Sequence, residues 1–155
     1  MNDSAVRYME TGQYEPNDTV PTLSNAMDVG KPSNFVRVLE LFGHEYEDVR
    51  DVLSAYRLSD EETVATIQRV SKEHGYLLDP HTAVGWEIAE RYGDPDKTRV
   101  LCATASPIKF AGEIGESAGI DVDNAAEIAK LQERPQHKTT IPNDYTALTQ
   151  LLLNK

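Results

Sequence analysis

The sequence predicts an α/β fold class, rich in helix and with few strands of its own. Three observations carry that expectation. Several stretches repeat apolar residues at helical spacing behind recognisable caps. One short run, Val100-Leu101-Cys102-Ala103, is apolar without a breaker and suits a strand buried on both faces. Helical patterns flank that run, which is the order found in parallel α/β sheets.

The elements follow in chain order. Ala5 to Met9 reads as a helical turn, and Gly12 to Asp18 is rich in turn residues. Thr22 to Val29 sets Ser24, Asn25 and Asp28 among apolar residues and closes with Gly30-Lys31-Pro32. From Ser33, a candidate cap, Phe35, Val38, Leu39 and Phe42 recur at helical spacing up to Gly43. A second helix is expected near Tyr46 to Tyr56. Ser59 and Glu62 form a capping box for a third, with Val64, Ile67 and Val70 on one face and a stop at Gly75. Asp79 caps the next helix, with Pro80 at its first position, and the pattern runs to Gly93. The expected strand spans Thr98 to Thr104. Ser106-Pro107 then opens a helix toward Ala118, and two further helices lie near Asn124 to Glu133 and Asp144 to Leu153. A lone strand leaves its edge groups unpaired, so the rest of the sheet is expected from other residues.

Composition narrows the function classes. Hydrophobic residues make up 39% and charged residues 26%, as in an ordinary globular domain, and the length allows one core. A formal net charge of −11 argues against a nucleic-acid partner, which needs Lys and Arg for its phosphates, and against adhesion to an anionic membrane. No apolar stretch reaches the length of a membrane span. The N-terminus does not resemble a secretory signal, so a cytoplasmic location is expected. Cys102, the single cysteine, excludes an intrachain disulfide and a thiolate metal cluster, and its apolar neighbours suggest burial. His44, His74, His81 and His137 lie in unrelated segments, so no metal site is expected. No nucleophile elbow, phosphate loop or dinucleotide fingerprint is present.

Four segments carry a family resemblance. Leu23-Ser24-Asn25-Ala26-Met27-Asp28-Val29-Gly30-Lys31-Pro32-Ser33-Asn34-Phe35 is long and chemically peculiar. Leu78 to Gly85 reads L-D-P-H-T-A-V-G, and Ala103 to Phe110 reads A-T-A-S-P-I-K-F. Near the end stands Lys138-Thr139-Thr140-Ile141-Pro142-Asn143-Asp144-Tyr145. In this order they resemble the longer-form threonine synthases of bacteria and fungi over nearly the whole chain. The resemblance implies the helix-rich C-terminal portion of the large domain of a type II fold dependent on pyridoxal phosphate. Residues 1–155 are then one such portion, with an irregular lead-in over 1–32, a helical stretch over 33–97 and a strand followed by helices over 98–155. The family's Schiff-base lysine and its Gly-Asn-rich loop for the cofactor phosphate have no counterpart here, so the chain reads as a piece of a longer protein. Ser106 stands where the family usually shows His.

Thr104 ends the expected strand and precedes a helix, the edge of an α/β sheet where ligands sit. On the residues alone it either closes the strand or faces a ligand. The resemblance implies that its hydroxyl bonds the ring nitrogen of pyridoxal phosphate. Ser24, Asn25 and Asp28 serve either as turn and cap residues or as the wall of a cleft. His81, one residue inside a capped helix, is either packed or part of that wall, and Lys109 either faces solvent or meets an anionic substrate. No residue of this chain is expected to be catalytic in itself. The resemblance implies conversion of O-phosphohomoserine and water to threonine and phosphate, with the N-terminal part of the same enzyme as partner and no turnover by this chain alone. The alternative is a non-catalytic acidic helical interaction module.

Overall fold

In a computed structural model, described over residues 2–153, eight α-helices and two 3-10 turns account for the regular structure. They are α1 (Ser4–Thr11), α2 (Phe35–Leu41), α3 (Tyr46–Val52), α4 (Asp60–His74), α5 (Pro80–Tyr92), α6 (Ala111–Ala118), α7 (Ala125–Gln132) and α8 (Tyr145–Leu153), with 3-10 turns at Asn25–Met27 and Pro107–Phe110. The chain divides into two compact units, one ending at Asp123 and the other starting at Asn124.

The core of the first unit is the α4–α5 hairpin with α6 packed on α4. Local chemistry sets both helices. The Ser59 hydroxyl accepts from the Glu62 N–H while the Glu62 carboxylate accepts from the Ser59 N–H, so the expected capping box is formed. Gly75 ends α4 in the left-handed region at φ 63°, where a side chain would be strained. Asp79 caps α5, with Pro80 in its first turn. Ile67 and Val70 of α4, Leu78 and Ala83 at the start of α5, and Ile114 of α6 close around Phe110. Across the outer seam of the hairpin, Arg69 binds Glu87 and Glu90, and Arg91 binds Glu62 and Glu87.

A second cluster lies toward the N-terminus of this unit. Tyr8 is buried edge-on between Phe35 and Tyr46, at ring-centroid distances of 5.0 and 5.7 Å, and Tyr14 stacks on Phe35 at 4.6 Å. The lead-in returns on itself where the Asn17 N–H donates to the Gly30 carbonyl at 2.9 Å. A Cβ at Gly30 would stand 2.2 Å from the Asn17 carbonyl oxygen, so the close approach requires glycine. In the second unit α7 and α8 bury none of their residues, and Asp144 caps α8 by accepting from the Ala147 N–H.

Two expectations change. Residues 98–104 form no strand, and no strand occurs among the described residues. Val100 is 86% exposed and Cys102 is exposed as well, so most of the apolar run is left uncovered by the described residues. The reason lies in what a strand needs: a ladder partner, and none of the other described segments pairs with it. Secondly, Ser106 and Pro107 open a 3-10 turn, and α6 proper begins at Ala111. The helix-rich character stands, and the sheet does not lie within the described residues.

Candidate functional site

Residues 99 to 110 run back along α5 and are pinned to it at three levels. The Arg99 guanidinium donates to the Ala89 carbonyl at 2.5 Å. Leu101 lies over Gly85, where a Cβ would meet its Cδ1 at 2.7 Å. Phe110, buried, meets the His81 ring at 4.8 Å between centroids. The contacts descend from residue 89 to 85 to 81, so Thr104 is carried toward the N-terminal end of α5. There its side chain is exposed.

At that end of α5 a buried polar cluster organises the backbone. Asp79 is 1% exposed and its Oδ1 accepts from the His81 N–H at 3.0 Å, the Thr82 N–H at 3.4 Å and His81 Nδ1 at 3.0 Å. Its Oδ2 accepts from the Thr82 hydroxyl. The His81 side chain is only 6% exposed, and its Nε2 lies 3.1 Å from the Ala26 N–H. An amide N–H can only donate, so Nε2 is the bare nitrogen and the single ring proton sits on Nδ1, facing Asp79. These two contacts together assign the Nδ1–H tautomer to His81.

The turn that His81 holds is the one carrying Ser24, Asn25 and Asp28. Ser24 is buried and its carbonyl accepts from the Met27 N–H, while Asn25 is exposed. Asp28 is held within its own loop: it accepts from the Thr22 N–H at 2.8 Å, the Thr22 hydroxyl at 2.6 Å and the Asn2 amide at 2.9 Å. It closes the loop that the turn belongs to. The Leu23 N–H reaches Asp60 at the start of α4, fixing the other end. Beside this turn is a cavity of about 160 Å³ lined by Asn2, Thr22, Ser24, Met27, Arg57 and Asp60, among others. Lys109 is exposed, its ammonium 5.3 Å from the centre of the Phe110 ring. The structure thus links Ser24, Asn25 and Lys109 through His81 and Phe110, engages Asp28 in closing the same loop, and holds Thr104 on the pinned segment.

Two features escaped the sequence reading. The double engagement of His81 depends on Ala26, 55 positions away, and nothing local signals it. The ionic seam between α4 and α5 had a partial signal in the spacing of Glu87 and Arg91. There the Ser59 N–H and the Arg91 guanidinium pull the Glu62 carboxyl down to about 2. Glu90 is lowered by its bond to Arg69. No group of residues able to hold a metal ion occurs among the described residues. Nor is any helix long and apolar enough to cross a membrane.

Comparison with known proteins bears on what this surface is for. Residues 82–152 match the family described as threonine synthase, C-terminal. The chain is 34% identical over 154 residues to the threonine synthase of Escherichia coli K12, covering 99% of itself and 36% of that protein. It is 35% identical over 152 residues to that of Haemophilus influenzae, covering 98% of itself and 35% of the relative. Among solved structures, it matches the E. coli threonine synthase with a TM-score of 0.75 at 34% identity, over 99% of this chain and 36% of that one. It matches a PLP-bound threonine synthase from Brucella melitensis with a TM-score of 0.74 at 29% identity, over 99% of this chain and 38% of that one. The chain spans a little over a third of the length of these relatives. In sequence over nearly its whole length, and in fold, the chain corresponds to the C-terminal part of the threonine synthases.

Proposed function

We propose that this chain supplies one wall of the active-site cleft and the ring-nitrogen contact of a threonine synthase, completing with the N-terminal part of that enzyme a site that converts O-phosphohomoserine and water to threonine and phosphate. The observation that carries the reading is the exposed Thr104, held at a defined place on a segment pinned to α5 through Leu101 and Phe110. The residues fit pyridoxal phosphate in part. A neutral, outward-facing hydroxyl suits a pyridine nitrogen, whereas a glycine-rich cradle for the phosphate is absent from the sequence and belongs to the rest of the site. When bound, pyridoxal phosphate supplies the electron sink for bond breaking in the amino-acid substrate.

Thr104 would hold the ring nitrogen through a hydrogen bond from its hydroxyl, which keeps its proton, whereas an aspartate would protonate that nitrogen. The choice moderates the sink and gives the protein walls control of the outcome. Ser24 and Asn25, on the turn held by His81, shape one side of the cleft. Asp28 keeps the loop behind them closed. Lys109 meets the anionic substrate from the turn after Thr104.

The experiment is reconstitution. This chain is mixed with a separately produced N-terminal part of a related threonine synthase, and phosphate release from O-phosphohomoserine is followed with pyridoxal phosphate present. The expected result is no release by the chain alone and release on mixing. Native-like turnover by the chain alone overturns the reading. A second reading, a non-catalytic interaction module, draws on the α4–α5–α6 core, which closes on itself. A sharp melting transition unmoved by the partner, with no turnover in the mixture, favours it.

A further inference from the structure

We infer that His81 is a positioning residue, a two-sided hydrogen-bond clamp that sets the turn at Asn25–Met27 against the N-terminal end of α5 and so fixes one wall of the cleft beside Thr104. The inference rests on the proposed cleft for its functional consequence, while the clamp itself stands on geometry.

Three segments distant in sequence meet at this imidazole. Nδ1–H donates to Asp79, which is buried and also caps α5, so the ring cannot turn without undoing the cap. Nε2 accepts from the Ala26 N–H at 3.1 Å and so ties the turn to α5. The ring also meets Phe110, on the turn that follows Thr104, at 4.8 Å between centroids and a tilt of 50°. Only a neutral imidazole with its proton on Nδ1 satisfies both bonds. A lysine or arginine offers no acceptor, and a carboxylate offers no donor to Asp79. The side chain is almost enclosed, so water does not readily replace either partner. The position therefore demands one donor and one acceptor in a fixed orientation, on opposite sides of one ring.

Two near-isosteric substitutions separate the halves. In His81→Asn the amide nitrogen stands close to where Nδ1 was and keeps the Asp79 bond, but nothing reaches Ala26. In His81→Gln the longer side chain puts its carbonyl oxygen near the place of Nε2 and keeps the Ala26 bond. Imidazole nitrogen NMR on the unsubstituted chain is expected to show Nδ1 protonated and Nε2 bare. Amide hydrogen exchange at Ala26 is expected to quicken about tenfold in His81→Asn, the equivalent of one net hydrogen bond, and to stay near the original rate in His81→Gln. In the reconstituted enzyme, His81→Asn raises KM for O-phosphohomoserine more than it lowers kcat, and His81→Gln stays closer to the original on both. An Nε2–H tautomer, or equal Ala26 exchange in the two variants, overturns the clamp. A reconstituted enzyme that leaves O-phosphohomoserine untouched overturns the functional reading instead, and the clamp is then decided by the tautomer and the exchange rates. Thermal melting of both variants shows whether each folds, and where one does not, the tautomer of the unsubstituted chain decides the clamp.

Discussion

Replacing Asp79 tests the cluster at the head of α5, because its two oxygens carry unequal loads. Oδ1 accepts three bonds, from the His81 and Thr82 N–H groups and from His81 Nδ1, whereas Oδ2 accepts one, from the Thr82 hydroxyl. Asp79→Ala removes all four. Loss of the cap alone costs about 1–2 kcal/mol. The His81 ring N–H is left as a buried, unpaired donor, at about 1–3 kcal/mol more. The Thr82 hydroxyl can rotate to another acceptor and adds little. The sum is about 2–5 kcal/mol, a large share of the stability of a domain this size. Asp79→Asn keeps Oδ1 and its three donors. The new NH2 faces a hydroxyl that can turn and accept, so only the charge assistance is lost, at about 1 kcal/mol. Urea unfolding of the three proteins, followed by far-ultraviolet circular dichroism, reads the differences directly when the slopes agree. If Asn costs as much as Ala, or Ala costs less than about 1 kcal/mol, the account of this carboxylate is wrong.

Other perturbations follow from the same reading. Phe110→Ala opens a cavity in the main core and is expected to cost about 3–5 kcal/mol in urea unfolding. Gly30→Ala drives a methyl group into the Asn17 carbonyl, and a loss of at least about 1–3 kcal/mol should be visible as a lowered melting temperature. Thr104→Val, at an exposed position, should leave the stability of this chain within about 0.5 kcal/mol and yet lower phosphate release in the reconstituted enzyme. For Glu62, held at about 2 against an ordinary 4.5, the stabilising contribution is complete above the higher value and disappears as the pH falls through the lower one. The melting temperature of Glu62→Gln should therefore fall less steeply than that of the unsubstituted chain between those two values, and parallel curves would count against the seam.

What the sequence makes legible follows from how local each cause is. The capping box at Ser59 and the Asp79-Pro80 start of α5 rest on residues within one turn, and both helices begin where those signals stand. The helix at Tyr46 was expected to continue to Tyr56 but ends at Val52, with Leu53 already extended. The N-terminal turn proves to be a full helix because Tyr8 has aromatic partners at Phe35 and Tyr46, which no local pattern shows. An apolar run announces that it wants cover without saying what provides it, and so Val100 to Ala103 has the pattern of a buried strand without forming one. Thr104 and the Ser24 turn were picked out by motif, whereas the way His81 bridges to Ala26 needed the fold.

The uncovered run at Val100 also bears on how this chain behaves in concentrated solution. Its main-chain donors and acceptors are unladdered, its side chains are apolar, and it has no proline. Such a segment can template pairing with the same segment of another copy, which begins as reversible self-association and ends in precipitate. Arg99, with Lys97 two residues before it, acts as a charged gatekeeper at one end, and the overall negative charge opposes close approach of two copies. Salt weakens that repulsion while leaving the apolar attraction in place. The stretch that presents Thr104 therefore also governs colloidal stability, and a preparation of this chain should keep best at low ionic strength.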